Sequence, residues 1–124
     1  MPREIVVVSA RAPDLTTLLE AGAAVDPGLG LRTMREGAVH QLCLVGPDGS
    51  GDVAVLSVSQ PLAVENAAEL ARLLPGVAGL DHLAAPLWWV EALAPWGDAG
   101  RVGVRVAQEL ALRLGGVCVV QDGE

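Results

Sequence analysis

The sequence predicts an α+β domain, a ferredoxin-like β-α-β-β-α-β sandwich with a C-terminal α-β extension and a mostly antiparallel sheet. Three observations carry that expectation. Two runs, residues 31–45 and 53–59, alternate in character on either side of a Gly-rich turn, as the strands of a hairpin do. Two other stretches, 64–74 and the segment after Asp98, repeat apolar residues at helical spacing. A short β-branched run, Ile5-Val6-Val7-Val8, suits a strand buried on both faces.

Taken in order, the first strand at 5–8 is followed by Pro13-Asp14 and by Leu15, Leu18 and Leu19, a helical spacing that ends near Gly22 or runs on to Pro27. Asp26-Pro27-Gly28 is a turn. The alternating run 31–45 places Met34, Leu42 and, from 53–59, Leu56 and Val58 on one face, under the helices. Arg35, Gln41, Ser57 and Ser59 fall on the other face. Residues 64–74 form a helix with Ala67, Leu70, Ala71 and Leu74 on its apolar stripe, stopped by Pro75-Gly76. Residues 76–86 read as a loop with a turn of helix. A strand at 87–93 lies between Pro86 and Pro95. Asp98 caps a last helix lined by Val102, Val106, Leu110 and Leu114, and 117–120 is a closing strand.

No linker, repeat or low-complexity tract interrupts this order, so residues 1–124 form a single domain. With 52% hydrophobic residues in 124, the chain buries a core without disulfide or metal staples, which excludes a disordered tail and a disulfide-rich miniprotein. The net charge of −7 argues against a general nucleic-acid binder, since phosphate contacts need clustered cations. No apolar run is long enough for a signal peptide or a bilayer span, so a cytoplasmic protein is the expectation.

Catalytic and metal chemistry find little support. Cys43 and Cys118 sit singly in apolar runs and read as buried small hydrophobes rather than zinc ligands. The segment 46–51 has the glycines of a phosphate loop but no Lys, and a strand follows it; it reads as a hairpin turn. Gly28-Leu29-Gly30 opens a dinucleotide fingerprint that Thr33 then breaks. Glu65 and Glu69, one helical turn apart, lack a third metal ligand and read as a solvated face. His40 falls on the inward set of its strand. Asp81-His82 is the one conceivable acid–base pair, and no nucleophile in a recognisable context accompanies it. The expectation is a protein without catalytic residues, metal or cofactor.

The tryptophans say more. Neighbouring side chains of a strand point to opposite faces, so Trp88 and Trp89 cannot share one core. One supplies core volume in a chain without Phe or Tyr; the other faces the open side of the sheet or a partner, with Trp96 just past the strand end. Indole combines a large apolar area with one N–H donor, as binding hot spots do. The candidate partner-binding residues are therefore Trp88, Trp89, Trp96, Glu91, Asp98, Arg35, Gln41, Ser57 and Ser59.

Met34-Arg35-Glu36-Gly37 entering a strand, Leu87-Trp88-Trp89-Val90-Glu91, and the run from Val106 to Gly116 before a closing strand resemble small α/β proteins of high-GC bacteria, some of them grouped with immunity proteins of polymorphic toxin systems. The resemblance implies a small acidic protein that neutralises a toxin by stoichiometric binding, and the excess of acidic side chains favours a basic toxin domain as the partner. It transfers no catalytic residue. The alternative is a small-ligand-binding regulatory domain that dimerises; a hydrolase using Asp81 and His82 is the least supported reading.

Overall fold

The computed structural model describes residues 2–45, 52–66, 68–77, 80 and 86–121. Strand β1 (Arg3–Ser9) is followed by helix α1 (Leu15–Val25). The Asp14 carboxylate caps α1, accepting from the Thr17 backbone N–H at 2.7 Å and from its hydroxyl at 2.8 Å. Strands β2 (Leu29–Met34), β3 (Val39–Val45), β4 (Asp52–Ser59) and β5 (Leu62–Val64) come next, then helix α2 (Ala68–Leu73), strand β6 (Leu87–Ala94), helix α3 (Asp98–Arg113) and strand β7 (Val117–Gln121).

The strands form one sheet in the order β2-β3-β4-β6-β1-β7, and every pairing is antiparallel. Strand β5 lies along the same edge of β6 as β4. Ser57 and Val58 pair with Leu93 and Ala92, and Leu62 to Val64 pair with Trp89 to Leu87. Pro61, which has no N–H for a ladder, falls in the break between them.

Helices α1 and α3 pack on one face of the sheet. Their core joins Leu18, Ala21, Val106, Ala107 and Leu110 to Ile5, Val7, Leu42, Leu56, Val90 and Ala92. Val55 is an extra residue in β4: Leu42 pairs with Leu56 and Cys43 with Ala54. This bulge sends both Val55 and Leu56 into the helix-side core, where each is fully buried. On the opposite face, α2 covers only one end of the sheet, its Leu70 packing with Leu74, Val6, Val8 and Leu87.

The α+β class and the mostly antiparallel sheet agree with the sequence; the arrangement within them differs in several places. The single strand predicted over 31–45 is two strands joined by a tight turn, in which Arg35, Glu36 and Gly37 all have positive φ (52°, 56° and 94°). Met34 consequently pairs with Val39 and sits 39% exposed on the face opposite α1 and α3, not under them. The helix predicted over 64–74 is shorter, because Val64 pairs with Leu87 in the sheet and Asn66 accepts from the Ala68 N–H at 3.0 Å where the helix starts. Glu65 therefore precedes α2, and Glu69 pairs with Arg72 instead. Asp98 is the first residue of α3 rather than its cap, Gly97 holding that place with φ 90°, and it pairs with Arg101 at 3.4 Å. The first six predicted elements do not make the sandwich: α3 is the partner of α1, α2 lies on the other face, and β7 joins β1. The turn predicted at 46–51 and the Asp81-His82 pair lie outside the described residues.

Candidate functional site

The strand registers decide which side chains share the face that α2 leaves open. One cross-strand row runs through all six strands of the sheet order: Arg32 pairs with Gln41, Gln41 with Ser57, Ser57 with Leu93, Leu93 with Glu4, and Glu4 with Gln121. Directly paired residues of antiparallel strands point to the same side, so these six project together. A neighbouring row carries Met34, Val39 and Ser59 on one half of the sheet and Glu91, Val6 and Val119 on the other.

Hydrogen bonds fix the polar half of this face. The Gln41 amide donates to the Ser57 hydroxyl at 3.1 Å, the Cys43 thiol donates to the Gln41 carbonyl oxygen at 3.5 Å, and the Arg32 guanidinium donates to the Cys43 sulfur at 3.3 Å. Nearer the centre the Trp89 indole N–H donates to the Glu91 carboxylate at 3.2 Å. Trp89 is half-buried, held on one side by the cluster under α2, and Leu62 pairs with it while remaining 61% exposed.

Two shallow hollows flank this Trp89–Glu91 unit, and Ser59 lines both. The first, of about 340 Å³, is walled by Glu4, Val6, Trp89, Glu91, Leu93 and Gln121. The second, of about 330 Å³, runs to the β2–β3 turn and includes Arg35, Val39, Gln60 and Leu62. The Gln60 amide donates to the Gly37 carbonyl and ties the turn to the end of β4.

Of the residues singled out from the sequence, Arg35, Ser59, Trp89 and Glu91 thus meet around one hollow, with Gln41 and Ser57 beside them. Trp88 does not belong to this face. It pairs with Ser9 on the helix side, so the two indoles do lie on opposite faces of β6. Trp96 and Asp98 lie beyond the end of β6 and line neither hollow; Trp96 is 51% exposed with the Arg3 guanidinium 4.7 Å above its ring. Sequence reasoning missed Glu4, Leu62, Leu93, Arg32 and Gln121. The alternation Glu4-Ile5-Val6 and the position of Leu62 just after Pro61 were the available signals.

Other candidates are accounted for structurally. His40 shares a hydrogen bond of 3.1 Å with the Thr33 hydroxyl through Nδ1, on the helix side of the sheet. Cys43 is buried, and burial pushes the Cys118 thiol up to about 11, so that it stays protonated and unreactive at neutral pH. Among the described residues no three His, Cys, Asp or Glu side chains group as a metal site, and no helix is long and apolar enough to cross a membrane. No protein-family model, curated protein or solved structure matches this chain.

Proposed function

We propose that this protein is a non-enzymatic binding module, an immunity-type inhibitor that neutralises a basic toxin domain by stoichiometric contact in the cytoplasm. The observation that carries the reading is the open sheet face: a half-buried indole oriented by Glu91, ringed by the exposed Leu62 and Leu93 and by polar groups of five other strands. Such a face combines an anchored aromatic with an apolar centre and a polar rim, the pattern of a protein interface. The charge of −7 favours a basic partner, because an excess of carboxylates steers encounter with a cationic surface. The fold reading that accompanies it is a ferredoxin-like plan with the β2–β3 hairpin inserted, supported by the neighbours β4-β6-β1-β7 and by α1 and α3 sharing one face.

Affinity capture from native extract tests the proposal with three baits. Wild type and Trp96→Ala retain a basic protein in one-to-one ratio. Trp89→Ala weakens its binding by at least about thirtyfold, the loss typical of a central interface tryptophan. Equal retention by Trp89→Ala, or no stoichiometric partner at all, overturns it. A second reading, a regulatory domain binding a small ligand, draws on the two hollows beside Trp89. A metabolite that raises the melting temperature in a thermal-shift screen would favour that reading, because a ligand of the folded state stabilises it by mass action.

A further inference from the structure

We infer that the hollow between Trp89, Glu91 and Glu4 seats an arginine side chain of the docking partner. The assignment rests on reading the open face as a docking surface and names the group recognised there.

The two hollows beside Trp89 differ in charge. The one that reaches the β2–β3 turn already contains a cation, Arg35. Among its described lining residues the other has no cation and has two exposed carboxylates, Glu4 on β1 and Glu91 on β6. Neither carboxylate is in an ion pair with a described residue. Their placement is set by register rather than by flexible loops: Glu91 pairs with Val6, and Glu4 pairs with Leu93, so the two acids sit diagonally on adjacent strands of the same face. The Trp89 N–H is engaged with Glu91, which fixes one carboxylate against the indole edge while the ring lines the hollow.

An aromatic ring, two carboxylates and an apolar wall from Val6 and Leu93 match the parts of an arginine. The planar guanidinium stacks on the indole and donates to carboxylate oxygens, and the aliphatic stem packs on Leu93. Lysine satisfies only the charge, since its compact, strongly hydrated ammonium neither stacks nor donates as a fork. A neutral ligand leaves both carboxylates uncompensated.

Titration of the ¹⁵N-labelled wild-type chain with three capped tripeptides, acetyl-Gly-Arg-Gly-amide and its lysine and citrulline counterparts, tests the inference by NMR. The indole N–H signals are assigned with single Trp→Phe variants. The arginine peptide is expected to shift the Trp89 indole and the Glu4 and Glu91 amides saturably, with Kd on the order of 1–10 mM for so exposed a site. The lysine peptide binds at least about threefold more weakly. Citrulline, the uncharged isostere, gives no saturable shift, and the Glu4→Gln/Glu91→Gln variant loses the arginine response while keeping its spectral dispersion. Equal shifts by arginine and citrulline, shifts centred on Trp96, or no saturable shift overturn the inference. If the arginine peptide fails while Trp89→Ala still weakens partner capture, the arginine assignment falls and the docking reading stands; if the peptide binds Trp89 and Trp89→Ala retains the partner as well as wild type, the docking reading falls instead.

Discussion

A Cβ placed on Gly103 would lie 1.8 Å from the carbonyl oxygen of Val55. The backbone of α3 therefore rests directly on the bulged residue of β4, and one turn earlier a Cβ on Gly100 would lie 1.5 Å from the Pro95 carbonyl oxygen. Bulge and glycine depend on each other: the extra residue brings its carbonyl out toward the helix, and only a residue without a side chain lets the helix reach it.

Replacement of Gly103 by Ala reverses the usual sign of a Gly→Ala change in a helix. Propensity alone predicts a gain of about 1 kcal/mol, whereas forcing α3 off β4 costs about 2–4 kcal/mol net, with a lower urea midpoint and an unchanged slope. A higher midpoint would mean that α3 does not seat on Val55.

Neighbouring positions on α3 separate core from surface. Leu110 is 2% exposed and Leu112 is 76% exposed. Leu110→Ala is expected to cost about 2–5 kcal/mol in equilibrium unfolding, and Leu112→Gln to stay within about 0.5 kcal/mol of wild type.

The capping carboxylate of Asp14 makes stability depend on pH in a defined direction. The Thr17 backbone N–H, and after it the Thr17 hydroxyl, hold its pKa below the ordinary value. A depressed carboxylate contributes stability above its unfolded pKa and loses it as pH falls through the folded one. Asp14→Ala is therefore expected to melt at a lower temperature than wild type at pH 7. The gap narrows as pH drops below about 4, where the unfolded carboxyl begins to protonate. A gap that widens in acid would contradict the cap.

Cys118 tests burial chemically. A thiol at about 11 is ionised to only roughly one part in a thousand at pH 8, against about a quarter for a free cysteine. In a Cys43→Ala background, iodoacetamide followed by intact mass is expected to modify Cys118 more than about a hundredfold slower than a free thiol, with the rate rising about tenfold per pH unit to pH 10.

The three indoles separate in fluorescence quenching. Trp96 is half exposed, whereas Trp88 and Trp89 are partly covered from opposite sides of β6. Trp96→Phe is expected to remove the component most accessible to acrylamide. Persistence of that component would place a different ring in solvent.

Much of this architecture was legible residue by residue. The strand at 87–93, the closing strand after Gly116, the helix lined by Val106 and Leu110, and the division of Trp88 from Trp89 all follow from side-chain periodicity, a property of the local backbone. The β2–β3 turn was hidden because its positive-φ positions include Arg35 and Glu36, residue types that seldom mark a left-handed turn. Half of the candidate site was legible for the same reason as the strands: Gln41, Ser57, Ser59 and Glu91 alternate with buried neighbours. Glu4 and Leu62 were not, since their place beside Trp89 comes from strands that meet β6 from distant parts of the chain.

By itself, then, the sequence determined the class of fold and the residues able to be inside, because each is written in composition and short-range spacing. Tertiary structure alone decided that α3 rather than α2 partners α1, that Met34 faces outward, and that Glu4 and Glu91 share a hollow with an indole. Those outcomes depend on which strand edges pair and which helix reaches the sheet most closely. Backbone pairing follows register and steric access across the whole chain, and no local pattern records either.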